Sequence, residues 1–188
     1  MSADAPTLLV SRDGPVTIMT LSRPQARNAV DGPTARALAQ AFERFEADDT
    51  SCVAVLNGAN GHFCAGADLT GVEDASFAKL LQGVLDRLRD VPFPTIAAVE
   101  GAALGAGTQL AVACDLRVAT ADASFGIPAA KLGLMVNHWT VQRTATMLGP
   151  SAARAVLLTA EVVPGDRAHQ LGLVNRIGAL ADALAWAE

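Results

Sequence analysis

The chain lacks an excess of positive charge: 14 Lys plus Arg stand against 19 Asp plus Glu, a net charge of -5. No global positive field therefore draws it to nucleic acid or to an anionic membrane, and a polyanionic ligand must be met by local groups. Cysteine is scarce, and Cys52, Cys64 and Cys114 show no CxxC spacing. An odd count cannot close a disulfide framework, so these are expected to be reduced, buried thiols of a cytoplasmic protein. His62, His138 and His169 form no two-His helical pair, and no metal is expected. No basic segment followed by a long apolar run opens the chain, and the most apolar window, 93–116, is broken by Glu100 and Gln109. Neither an export signal nor a membrane span is expected.

What is present is ample apolar material, 51% hydrophobic against 18% charged in 188 residues. That excludes a disordered chain and predicts a single domain over 1–188 with one core. Alternation over 16–21 predicts a short strand. Asp31, Gly32 and Pro33 then read as the start of a helix carrying Leu38, Ala41, Phe42 and Phe45 at helical spacing. The continuous run 52–56 suits a strand buried on both faces, and Phe77, Leu80, Leu81, Val84, Leu85 and Leu88 predict a helix ended before Pro92. A third buried strand is expected over 95–99, a Gly-rich turn over 101–107, a helix over 107–113 and a strand over 116–119. Helices over 139–148, 151–158 and 166–171 and a last strand over 173–177 complete an α/β chain.

Two turns stand where α/β sheets place ligands, 63–69 after the strand at 52 and 103–107 after the strand at 95. Glycine permits a sharp turn and close approach to the backbone, and a helix N-terminus presents unpaired N–H groups, so both turns suit donation to one oxygen. Each serves equally as a tight connection between strand and helix. A dinucleotide site is disfavoured because Gly105-Ala106-Gly107 runs on as Thr108-Gln109-Leu110 without a third glycine, and no phosphate-binding P-loop is present.

Five stretches carry a family resemblance: 23–29 (RPQARNA), 63–69 (FCAGADL), 97–107 (AAVEGAALGAG), 114–117 (CDLR) and 125–128 (FGIP). In order and spacing the chain resembles the enoyl-CoA hydratase/isomerase, or crotonase, superfamily, and within it a mycobacterial hydratase-like subgroup that lacks both catalytic glutamates. The resemblance implies a crotonase-type ββα spiral of the ClpP/crotonase-like kind, a homotrimer or hexamer, an acyl-CoA thioester as ligand or substrate, no further cofactor, and a place in fatty-acid and lipid metabolism. It implies an oxyanion hole from the N–H groups of Ala67 and Ala106. It also implies a CoA path along Ala26, Arg27, Ala65, Gly66, Asp68 and Leu69, although Arg23 and Arg27 read equally as solvated loop charges. The usual C-terminal helical region is expected to be largely absent after Glu188, with weaker assembly as the consequence.

At the two positions where hydratases of the family carry glutamates, the resemblance places Gln109 and Ala129. Neither an amide nor a methyl group moves a proton near neutral pH. The expectation is an acyl-CoA-binding protein without hydratase activity. The alternatives are an active hydratase using another group, or other thioester chemistry such as hydrolysis by Asn137 or His138. The segment Asn137-His138-Trp139 stands beside the acyl pocket, with Trp139 either a pocket wall or a core aromatic at a helix start. Glu100, Asp68 and Asp115 are read as structural hydrogen-bonding groups, and Cys64 and Thr108 have no recognisable base to make them nucleophiles.

Overall fold

The computed structural model describes residues 6–68 and 75–188. Strands β1 (Leu8–Asp13) and β2 (Val16–Leu21) form an antiparallel hairpin turned at Gly14, whose φ of 53° favours glycine. Helix α1 (Gly32–Glu46) starts where Asp31 accepts from the Thr34 N–H at 2.8 Å, and Pro33 lies in its first turn. It buries Leu38, Phe42 and Phe45, each removal of such a side chain from water contributing about 1.5–3 kcal/mol. Strand β3 (Val53–Gly58) follows, then α2 (Ala75–Asp90), β4 (Thr95–Val99), β5 (Ala102–Leu104), α3 (Ala106–Ala113), β6 (Leu116–Ala119) and β7 (Ser124–Gly126). The chain continues as α4 (His138–Leu148), α5 (Pro150–Leu158), β8 (Val163–Pro164), α6 (Gly165–Gln170), β9 (Arg176–Ile177) and α7 (Leu180–Ala187).

One sheet has the order β1-β2-β3-β4-β6-β9, parallel throughout except for the first pair; the second has the order β5-β7-β8. Parallel strands buried on both faces read as continuous apolar runs, and the period of two assigns each residue a side. Ala54, Leu56, Ala97 and Val99 join the core beneath α1 and α2. Val53, Val55, Ile96 and Ala98 face the other way, where Leu180, Ala183, Leu184 and Trp186 of α7 cover them. The Arg176 guanidinium stacks over the Trp186 ring at 3.9 Å and fastens this cover. No helix among the described residues is long and apolar enough to cross a membrane.

Several expectations need correction. β1 was not foreseen, because five of its six residues are exposed and show no buried alternation. The stretch 101–107 is not only a turn, since three of its residues pair as β5. The strand expected over 173–177 reduces to Arg176–Ile177, with Leu173 and Val174 buried in the core. Cys52 is exposed rather than buried, since it precedes β3 in the loop from α1. Cys64 and Cys114 are buried, which pushes their thiols up to about 11 and about 12. They stay protonated at neutral pH.

That loop is organised by Asp48. Its carboxylate accepts from the Thr50 hydroxyl, the Thr50 N–H at 3.0 Å and Ser51 Oγ at 2.8 Å, and pairs with Arg12 of β1 at 3.1 Å. These bonds, those from Thr50 foremost, hold its pKa down at about 2 from 3.8. A depressed folded-state value means that the unfolded chain takes up the proton first, so the stabilisation is complete above the unfolded value and is lost as pH falls through the folded one. Asp48→Asn is therefore expected to lower the urea midpoint at about pH 7, the gap to the unsubstituted protein closing between about pH 4 and pH 2. A gap that does not change with pH would show that the Asp48 charge is not what orders the loop.

Candidate active site

The two turns singled out by their glycines are clamped side by side. Cys64 bridges to Ala103, with Cys64 N–H donating to Ala102 O at 2.8 Å and Leu104 N–H to Cys64 O at 2.9 Å. Gly107, at the start of α3, lies so close to this bridge that an added Cβ would stand 2.1 Å from Cys64 O. In the first turn, Val30 N–H donates to Gly66 O and Asp68 N–H to Val30 O, each at 2.8 Å. This parallel bridge uses the groups flanking Ala67, so the Ala67 N–H faces away from Val30. In the second turn Gly105 has φ 52°, which suits glycine, and Ala106 is the first residue of α3, whose N–H has no intrahelical acceptor.

Helix α3 is buried at every residue except Gln109, in keeping with its apolar sequence. Thr108 Oγ1 donates to Ala103 O at 2.6 Å and accepts from Gly126 N–H at 3.1 Å, so its hydroxyl is committed to holding α3 against β5 and β7. At the other end, Arg117 Nη1 donates to Cys114 O at 2.8 Å and Arg143 Nε donates to Val112 O at 3.0 Å. Burial lowers the Arg117 pKa to about 10, so the guanidinium stays charged at neutral pH. Cations on the C-terminal carbonyls and bare N–H groups at the N-terminus give α3 a polarity that favours an oxygen bearing negative charge beside Ala106.

A cleft of about 470 Å³ opens in front of these turns. Ala65, Gly66, Ala67, Gly105 and Ala106 line one part of it, and both predicted replacement positions, Gln109 and Ala129, line it too. Asn137 lines it as well, whereas His138 and Trp139 do not. His138 is exposed, and Trp139 is half-buried against the core with the Arg89 guanidinium 6.0 Å from its ring centre. Ala26 ends a short 3-10 turn and Arg27 follows in the left-handed region at φ 49°; Arg27 O accepts from Ala65 N–H at 3.0 Å, which sets this loop against the first turn. The Asp68 carboxylate pairs with Arg23 at 2.9 Å, and Arg23 also reaches Asp31 at 3.2 Å. Leu69 lies outside the described residues.

The read of the other carboxylates as structural matches their contacts: Asp115 accepts from Thr95 N–H and Oγ1, and Glu100 accepts from Leu180 N–H. Among the described residues no cluster of His, Cys, Asp and Glu is arranged to hold a metal. Sequence reasoning missed one whole wall, formed by Ala78, Leu81, Gln82 and Leu85 of α2. Their spacing at i, i+3, i+4 and i+7 marks one helix face, and the single polar residue on it was the available signal. The other apolar lining comes from Ile127, Pro128, Leu132, Leu134, Met135 and Val136.

Comparison with known proteins gives the family and the fold. The profile of the enoyl-CoA hydratase/isomerase family matches residues 11–186. The probable enoyl-CoA hydratase echA6 of Mycobacterium leprae is 44% identical over 185 residues, covering 95% of this chain and 74% of that protein. The 2,3-dehydroadipyl-CoA hydratase of Escherichia coli is 37% identical over 90% of this chain and 68% of its own length. Among solved structures, an enoyl-CoA hydratase from Mycobacterium tuberculosis superposes with a TM-score of 0.88 at 37% identity, covering 97% of this chain and 75% of the other. An enoyl-CoA hydratase/carnithine racemase from Magnetospirillum magneticum gives 0.90 at 32%, covering 98% and 74%. The mixed α/β fold, the matched span and these relatives together make the chain a member of the enoyl-CoA hydratase/isomerase family.

Proposed function

We propose that this chain binds acyl-CoA thioesters in lipid metabolism and does not hydrate them. The observation that carries the reading is the lining of the cleft: among the described residues it presents three polar side chains, Gln82, Gln109 and Asn137, and none of them titrates. The Ala67 and Ala106 N–H groups grip the thioester oxygen. Arg27 and Ala26 lie along the path of the CoA moiety with Ala65, Gly66 and Asp68, and the apolar walls take the acyl chain. An oxyanion hole contributes about 3–4 kcal/mol per donor to a transition state, but without a group to move the proton that charge never develops fully. Each absent acid or base forgoes about 10² to 10⁴ in rate. The family's homotrimer or hexamer is part of the same reading.

A second reading is an active hydratase, favoured by the names of the relatives at 44% and 37% identity. One experiment separates the two: titration calorimetry with saturated acyl-CoAs beside the absorbance of crotonyl-CoA. Binding heat with no loss of enoyl absorbance over the protein-free rate is the expected result. Turnover at the ordinary enzyme range of about 1 to 10³ s⁻¹, with a bell-shaped pH profile, overturns it.

A further inference from the structure

The three polar side chains of the cleft do not face it as free groups. Gln109 Nε2 donates to Thr140 Oγ1 at 2.9 Å, and Thr140 N–H donates to Asn137 Oδ1 at 2.8 Å. Asn137 Nδ2 donates to Gln82 Oε1, and Gln82 Nε2 donates to Asp86 Oδ1 at 2.8 Å. The Asn137 to Gln82 link joins residues 55 positions apart. Gln82 belongs to the α2 wall, and Asn137 ends the loop that supplies Leu132, Leu134, Met135 and Val136 to the other wall. Their bond therefore ties together two lining segments that are distant in the chain.

We infer that the Gln82–Asn137 pair is a gate that sets how long an acyl chain the cleft admits; the inference rests on the acyl-CoA reading above. An alkyl chain has no group to replace this hydrogen bond, so while it is closed the chain stops there. The bond is nevertheless accessible to water, since Asn137 is exposed, so a longer chain that displaces it meets a modest cost and not an absolute stop. Apolar surface adjoins it for a longer chain to cover: Leu134 is 46% exposed and Met135 95%. Opening stays local, because α2 is held independently by Arg87 on Glu43 and Glu46 at 3.2 and 3.1 Å and by Arg89 over Trp139.

Two variants break the gate by different routes. Gln82→Ala removes the acceptor. Asn137→Ser keeps a helix-capping oxygen for Thr140 N–H but is too short to reach Gln82. Dissociation constants for butanoyl-CoA and hexadecanoyl-CoA are measured on each purified variant and on the unsubstituted protein, and the ratio of the two constants cancels any inactive fraction. In both variants the ratio is expected to shift about threefold to tenfold towards the longer chain, the cost of opening the bond that the variants no longer bear. A shift under twofold in both overturns the gate while leaving acyl-CoA binding intact; an unsubstituted protein that binds neither thioester overturns the binding reading, and the gate with it.

Discussion

The double variant Gln109→Glu/Ala129→Glu is expected to hydrate crotonyl-CoA at least about 10² faster than the unsubstituted protein, the low end of what one positioned acid or base contributes. Position 109 accepts the change at little structural cost, because glutamate and glutamine have nearly the same shape. The partner also adapts: Thr140 Oγ1, which accepts from Gln109 Nε2 at 2.9 Å, carries a hydroxyl hydrogen that can turn to donate to a carboxylate. Position 129 lies in the short 3-10 turn Pro128–Leu132 and borders the open volume, which leaves room for a longer side chain. The apolar surroundings raise a carboxyl pKa towards neutrality, where the acid and base forms are both available, and a bell-shaped pH profile should follow. Stopped-flow or steady-state absorbance measures the rate, and thermal unfolding checks that the variant is folded. A folded double variant that leaves crotonyl-CoA untouched would show that these two positions are not where the family's proton transfer takes place.

Gly107→Ala is expected to weaken acyl-CoA binding tenfold or more and to lower the melting temperature by roughly 3 to 10 °C, from an overpacking cost of about 1–3 kcal/mol. The added methyl would sit 2.1 Å from Cys64 O and 3.0 Å from Cys64 C and Cβ, none of them the far end of a flexible side chain that could swing away. The two turns must separate, carrying Ala106 away from Ala67, and the proposed cradle of two N–H groups depends on their spacing. Gly83 in α2 is the control, since a Cβ there has nothing within 4 Å. Gly83→Ala should raise stability by about 0.5–1 kcal/mol through helix propensity and chain entropy. If Gly107→Ala melts with the unsubstituted protein and binds as tightly, the close approach of α3 to Cys64 is not what positions the site.

The sequence disclosed those parts of the fold whose local chemistry and burial point the same way. Asp31 and Pro33 mark the start of α1, and the apolar runs at 53–56 and 95–99 are strands because both sheet faces are covered. The glycine turns were legible for a similar reason: Gly66 at φ 125° and Gly105 at φ 52° occupy backbone conformations that other residues rarely adopt. What local pattern cannot carry stayed hidden. β1 is held by hairpin pairing rather than by a buried face, and α7 is an alanine-rich segment that acquires its role only when the sheet offers Val53, Val55 and Ile96 to cover. Within the site, Gln82 is one polar residue on the helix face of Ala78, Leu81 and Leu85. Its meaning depends on Asn137, which only tertiary folding brings to it.

The arginine contacts on the last turn of α3 have a consequence for energetics at its first turn. An eight-residue rod fastened by guanidinium groups at its tail cannot slide or fray when a ligand reaches its head. On the proposed acyl-CoA reading its dipoles are already oriented before the thioester arrives, so little reorganisation is charged against the encounter. On that reading affinity at one end is governed in part by Arg117 and Arg143, neither of which lines the cleft.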